Sequence, residues 1–493
     1  MMTRTLSLLL VSLLITPLAL LHAASPPPNI ILVMPDDVGY GDYASLGAPI
    51  MQTPAVDAFK KQSLLFTQFH LSPTCSPTRA AMLSGRHEFK NGVTHTIFER
   101  ERMTLKTVTL PQVLKTAGYT TGIFGKWHLG DEEAYRPENR GFDEVFIHGG
   151  GGIGQTYSGS CGDVPGNTNI NPTLWHNGTF EKTEGYCTDL FFDQSIKWIQ
   201  GNVSTKKPFF AFIPLNAAHA PHVLPETYYK QYLGKPGVSE ELAKFYGMIE
   251  NVDTNFGKLL AKIDEWGIAE NTLVIYLGTD NGGSAEACKI FNAGMRGSKA
   301  TPYQGGTRAP CFFRWPAGGI PAGTECDALS AHIDLLPTIA AISGATLSDA
   351  VRKQVDGRSL LPLLKNPKAE WPERTLVHHV GRWDKGQSSE DSKYKNCAIQ
   401  NSRFTLVNNK DLYDLKADPG ETTNVMAEHP EVTASLRAEY EQWWKDVLPH
   451  MVNENIIGPT INPMKALYWK QFGGGPTKAD MKRMDPTSIT IPN

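Results

Sequence analysis

The sequence predicts an α/β protein: a large, mostly parallel mixed sheet sandwiched by helices, then a smaller C-terminal antiparallel sheet with a helix. Three observations carry this. Short apolar runs at 29–34, 120–124, 209–214 and 272–278 each end in a polar loop, as strands covered on both faces do. Between them, 110–117, 187–200, 240–266 and 333–343 place apolar residues at helical spacing. Farther on, 375–380, 397–400 and 403–407 alternate like a small antiparallel sheet, and 432–447 reads as its closing helix.

In chain order, Arg4 precedes an apolar run at 6–21, and Leu21-His22-Ala23 offers a cleavage point before Ser25-Pro26-Pro27-Pro28. This predicts a signal peptide at 1–23, with a retained membrane anchor as the alternative. No later segment is long and apolar enough to span a bilayer, and no cysteine at the cleavage point could take a lipid. The mature protein is therefore expected to be exported, periplasmic or secreted, and free of the membrane. A catalytic domain is expected over 24–372 and a C-terminal subdomain with a tail over 373–493. Glycine-rich 149–154 and polar 155–180 read as a long surface loop near the pocket mouth, and 457–493 as a surface wrap.

A formal net charge of −3 excludes a general nucleic-acid or anionic-membrane binder, so positive charge has to be sought in a site. Seven cysteines in an exported chain leave one unpaired. Cys161 and Cys187, flanking a loop rich in Gly and Asn, are the expected disulfide; Cys288, Cys311, Cys326 and Cys397 pair or stay buried thiols.

In open α/β sheets ligands bind beyond the carboxyl ends of the strands, so the four polar loops should converge. They carry Asp36 and Asp37, Lys126 and His128, His219, and Asp280 and Asn281. The two acidic pairs form an all-oxygen donor set suited to Ca²⁺ or Mg²⁺ rather than zinc. Cys75 follows the apolar run 64–71, and Pro77 is suited to the first turn of a helix, which sets Cys75 at a helix N-terminus favourable to an anion. Arg79 lies one helical turn on, able to fold back toward it.

Cys75-Ser76-Pro77-Thr78-Arg79, extended by Leu83-Ser84-Gly85-Arg86, resembles the signature of the type I sulfatases of the alkaline phosphatase superfamily. So do Gly125-Lys126-Trp127-His128-Leu129-Gly130, Thr279-Asp280-Asn281-Gly282 and Leu412-Tyr413-Asp414-Leu415 with Asp418-Pro419-Gly420-Glu421. Thr78 departs from the serine common there, while Cys75, Pro77 and Arg79 keep the maturation pattern.

The resemblance implies an alkaline phosphatase-like fold and a formylglycine-generating maturation enzyme as partner, converting Cys75 to 3-oxoalanine (formylglycine), whose hydrate is the nucleophile. It implies one Ca²⁺ held by Asp36, Asp37, Asp280 and Asn281 with residue 75. Arg79, Lys126 and Lys299 would hold the sulfate and the nucleophile, His219 would protonate the leaving alcohol, and His128 would free sulfate from residue 75. The expected substrate is a sulfated carbohydrate. Aryl sulfates, a phosphonate or phosphodiester, or calcium-dependent glycan binding by an inactive site are the alternatives. His148, His222, His378, His379, Arg382 and Trp383 follow apolar runs near the expected pocket face and are candidate rim residues.

Overall fold

The structure, a computed structural model, describes residues 26–155, 161–476 and 478. The expected signal peptide at 1–23, and 156–160 of the expected surface loop, lie outside the described residues.

The large sheet contains β1 (Asn29–Met34), β2 (Leu64–His70), β3 (Thr120–Lys126), β4 (Glu144–His148), β5 (Thr173–His176), β6 (Thr179–Lys182), β7 (Phe209–Pro214), β8 (Thr272–Leu277) and β9 (Arg308–Arg314). Two short strands, β10 (Thr324–Cys326) and β11 (Ser330–Ala331), pair with β2. The order is β10-β2-β9-β8-β1-β7-β3-β4-β5-β6. Pairing is parallel from β8 through β1, β7 and β3 to β4, and antiparallel where β9 meets β2 and β8 and at the β5–β6 hairpin.

At the centre, Ile30 of β1 sits opposite Phe210 of β7 and Leu273 of β8. Ile30, Leu32 and Met34 enter one apolar layer with Met82, Leu83, Leu336 and Ile339 from helices Cys75–Ser84 and Leu335–Ser343. Ile31 and Val33 enter the opposite layer with Phe191, Ile199, Met248 and Phe256 from helices Cys187–Thr205 and Glu240–Glu265. Both faces of the strand are thus dry. Each such side chain contributes about 1.5–3 kcal/mol by leaving water, which is why the run is apolar without alternation.

Several expectations need correcting. The 155–180 stretch is not loop throughout, because it contains β5 and β6, joined by Asn177 (φ 45°) and Gly178 (φ 98°). Two left-handed residues make the tight turn whose twist matches a hairpin. The stretch 457–493 contains a helix, Pro463–Phe472, started by Asn462, whose side chain accepts from the Met464 and Lys465 amides.

The described residues contain no disulfide, and Cys161 and Cys187 are both free thiols. Cys187 opens a helix with its Sγ 3.6 Å from Asn216 Oδ1, while Cys161 packs with Ile97 and Phe98, so each thiol is committed to different neighbours. No helix among the described residues is long and apolar enough to cross a membrane.

The second sheet is antiparallel, ordered β12 (Leu376–His379), β13 (Cys397–Gln400), β14 (Phe404–Val407) and β15 (Asp411–Asp414). Helix Pro430–Val447 covers it with Leu436, Tyr440, Trp444 and Val447, a helical spacing that forms one stripe. Phe89, from the segment after helix Cys75–Ser84, joins this cluster and ties the small sheet to the site-bearing part of the chain.

Candidate functional site

The strands β8, β1, β7 and β3 are consecutive neighbours, so the four polar loops leave the sheet side by side at its carboxyl edge. The Asp36 amide donates to Ala217 O at 2.7 Å, and the Ala218 amide donates to Asp36 O at 2.6 Å, which locks the β1 and β7 loops together. Gly125 (φ 136°) lets β3 pass β7, since a Cβ there would lie 2.1 Å from Pro214 O.

Asp36, Asp37 and Asp280 are buried, and one carboxylate oxygen from each falls in a group spanning no more than 4.8 Å. Burial and repulsion from Asp36 push the Asp280 carboxyl well above its usual range. Burial also works against ionised Asp36, but Lys126, with Nζ 2.5 Å from Asp36 Oδ2, overrides it and holds that carboxyl low. Asn281 donates Nδ2–H to Asp280 Oδ1 at 2.8 Å, which turns its own Oδ1 away. Asn281 Oδ1 and Asp36 Oδ1 are buried oxygens with no hydrogen-bond partner among the described residues. Crowded carboxylates and orphaned acceptors, with no histidine or thiolate in the group, suit a hard divalent cation such as Ca²⁺.

Cys75 begins helix Cys75–Ser84, every residue of which is buried, and Thr74 beside it has a buried Oγ1 without a partner. Cys75 Sγ lies 3.5 Å from His128 Nδ1. The other ring nitrogen, Nε2, is 2.8 Å from Thr96 O, and a carbonyl can only accept, so the proton sits on Nε2 and Nδ1 presents a lone pair to residue 75. Burial, reinforced by the Lys126 charge, holds His128 well below its ordinary value and therefore neutral.

Arg79 is buried and makes three hydrogen bonds: Nε donates to Asp280 Oδ2 at 2.7 Å, Nη1 to Lys126 O at 2.7 Å and Nη2 to Leu215 O at 3.2 Å. It joins the ends of β3, β7 and β8. Lys299 grips both Asp37 oxygens, at 2.6 and 2.7 Å, and burial fails to discharge it because Asp37 and Cys75 lie near. His219 donates Nδ1–H to Ala220 O at 2.6 Å and sets Nε2 3.9 Å from Asp37 Oδ2. Burial, then Lys299, pushes it down to about 4.

Gly151 and Gly152 pack on the two histidines. A Cβ on Gly151 would lie 2.9 Å from the His128 ring, and one on Gly152 would lie 3.2 Å from His219 Nδ1. Asp163 fastens this run by accepting from the Gly149 and Gly154 amides at 3.2 and 2.7 Å. The sequence flagged these glycines as a loop; their bareness, which leaves room for the imidazoles, was the available sign of contact.

The rim residues divide. His148 is buried at the end of β4, within the electrostatic reach of Lys126 and Arg79. His222 is half-buried, with Nδ1 2.7 Å from Glu241 Oε1. His378 is buried against Leu71 O and His70, and His379 is buried with its ring stacked on Trp444. Trp383 also fails as a sugar platform: it is buried, its Nε1–H donates to Glu454, and the Arg100 guanidinium covers its ring at 4.5 Å. Arg382 is half-buried, its amide donating to Thr94 O at 3.0 Å.

The family model described as sulfatase matches residues 28–345, and that for the C-terminal part of N-sulphoglucosamine sulphohydrolase matches 298–446. The chain is 30% identical to N-acetylgalactosamine-6-sulfatase of Mus musculus over 451 residues, covering 85% of this chain and 82% of the relative. It is 30% identical to arylsulfatase A of Homo sapiens, over 84% of this chain and 87% of the relative. Among solved structures, that of Ps i-CgsB superposes with a TM-score of 0.73 at 26% identity, covering 90% of this chain and 97% of the other.

Proposed function

Because this chain belongs to the sulfatase family and is a sulfuric ester hydrolase, we propose that it desulfates an O-sulfated carbohydrate outside the cytoplasm, with residue 75 as nucleophile. The observation that carries the nucleophile assignment is the lone pair of His128 Nδ1 aimed at residue 75 from a ring that cannot turn away. A relative whose name specifies N-acetylgalactosamine 6-sulfate supports the carbohydrate, and the leader at 1–23 supports export.

Oxidised by a maturation enzyme to formylglycine and hydrated, residue 75 supplies two hydroxyls: one attacks sulfur as its proton passes to Asp280, and through the other sulfate can be expelled as the carbonyl re-forms. A serine offers no such exit. Asp36, Asp37, Asp280 and Asn281 would hold one Ca²⁺, which supplies positive charge to a sulfate oxygen and to residue 75. Lys299 and Lys126 add fixed cations in a largely buried site, where they act more strongly than in bulk. Arg79 fixes Asp280 and adds a further fixed positive charge beside residue 75 and the sulfate.

The two histidines divide the proton transfers. His128, neutral and pinned, takes the proton from the remaining hydroxyl of residue 75 as sulfate departs. His219 delivers a proton to the departing alcohol, and a sulfate bound beside it favours its charged form. His219→Ala should therefore slow alkyl and sugar sulfates about 10²–10⁴-fold while barely slowing activated aryl sulfates, which leave without protonation. Equal losses on both would contradict the assignment.

Calcium carries a second expectation. A cation that relieves the crowded carboxylates binds the folded state alone, so calcium at about 100 times its Kd should add about 2.7 kcal/mol to stability and chelator should remove it. Elemental analysis should find one calcium per chain, and Asp36→Ala should lose metal and activity together. Two zinc ions per chain would contradict it. The function itself is tested by presenting sulfated mono- and oligosaccharides beside aryl sulfates and phosphate esters: saccharide desulfation supports it, and turnover of aryl or phosphate esters alone overturns it.

A further inference from the structure

Among the described residues the cations of the site, Arg79, Lys126 and Lys299, each meet a carboxylate. Arg100 meets Glu454 at 3.2 Å and Lys385 meets Glu99 at 3.7 Å, whereas Arg382 has no ion pair among the described residues, and its Nε is buried without a hydrogen-bond partner. Its backbone is held in the left-handed region (φ 59°), which residues with a Cβ rarely adopt. Gly381 before it touches the 94–97 loop so closely that a Cβ would lie 2.1 Å from Thr94 O. An unusual backbone that sets an unmatched guanidinium on this loop points to a use for the charge.

The same loop holds the site. Thr94 O accepts from Arg382, and Thr96 O fixes His128. His95 lies between, its Nδ1 accepting from the Thr96 and Ile97 amides at 2.8 and 3.2 Å, so that Nε2 carries the proton and is a donor. Burial, with the charges of Arg100 and Arg382, keeps this ring neutral. His95, a neutral N–H donor, thus lies within electrostatic reach of both the Arg382 guanidinium and His128, which faces residue 75, and among the described residues no carboxylate pairs with that guanidinium.

We propose that Arg382 and His95 form a subsite for a second anionic group of the sugar substrate, a carboxylate or a further sulfate, beyond the sulfate that is removed. The guanidinium fork fits either group in the same way. Trp383 serves the subsite from below: clamped between Arg100 and Glu454, it fixes the turn that carries Arg382. The inference rests on the carbohydrate reading above and narrows it to polyanionic saccharides.

The test compares kcat/KM for saccharides sharing one scissile sulfate and differing in a second group: none, a carboxylate or a sulfate. The wild type should prefer the anion-bearing members, with the better of the two groups identifying the source of charge. Arg382→Gln should reduce that preference about 10–100-fold, mainly through KM, and Arg382→Lys should restore part of it. Lys385→Gln, which removes a charge already met by Glu99, should leave the preference at its wild-type value. In the wild type itself the preference should shrink as salt rises, a reading that needs no variant to fold. No preference in the wild type, or one unchanged in Arg382→Gln, would overturn the subsite while leaving the carbohydrate reading intact. Turnover of aryl sulfates with no saccharide accepted would overturn both.

Discussion

Cys75→Ala should lose sulfatase turnover by about 10⁴-fold or more while the protein stays folded. The loss is large because the sulfur occupies the one position that combines a helix N-terminus, the His128 lone pair at 3.5 Å and the nearby charges of Lys126 and Lys299. Nothing else among the described residues offers a nucleophile at that point. Folding survives because alanine removes one small buried atom from a helix whose other contacts, Met82 and Leu83 among them, are untouched. A shift in stability of about 1 kcal/mol is expected, on the scale of one buried group of that size. Circular dichroism and thermal melting beside steady-state assays check both halves, and a variant that retains wild-type turnover would remove residue 75 from the mechanism.

Arg79→Ala should be costly in both respects. The guanidinium is 1% exposed and satisfies two backbone carbonyls and Asp280, so its removal leaves a buried carboxylate facing Asp36. Breaking one side of such a pair costs about 3–5 kcal/mol. Arg79→Lys should recover little, since one ammonium cannot reach the end of β3, the end of β7 and Asp280 together. Denaturant melts should show the destabilisation. Added calcium should return part of it, because the cation meets the charge on Asp280 that the arginine no longer meets. A stable, active Arg79→Ala protein would show that the three strand ends are held by other means.

How much of this was legible depended on where each signal lay. β1, β7 and β13 coincide with their apolar runs because buried strands need no polar face, and the run then has sharp ends. β9 escaped notice because Arg308-Ala309-Pro310-Cys311 reads against a central strand. The structure accommodates Pro310 where the β2 register shifts between Phe66 and Phe69, so the missing N–H falls at an irregularity in the ladder. β5 and β6 had a readable signal in Asn177-Gly178 that their polar surroundings obscured.

The residues expected in the site were legible because polar groups that bind ligands collect at the carboxyl ends of the strands. Asp36, Asp37, Cys75, Arg79, Lys126, His128, His219, Asp280, Asn281 and Lys299 do come together. Burial at the rim was not legible. An aromatic beside an arginine looks the same in sequence whether it faces a sugar or, like Trp383, lies under another arginine. The Cys161 and Cys187 pairing failed for a related reason, since spacing along a loop says nothing about which thiols face each other. The tautomer of His128 depends on a carbonyl 32 residues away and could be read only from coordinates.

The central claim is that residue 75 is the nucleophile in a modified form, and the mass of the peptide that carries it tests this most directly. In protein prepared by export and assayed for sulfatase turnover, the fraction of that peptide showing thiol-to-aldehyde conversion should match the active fraction. Full activity in a preparation whose residue 75 is entirely unmodified cysteine would contradict the account.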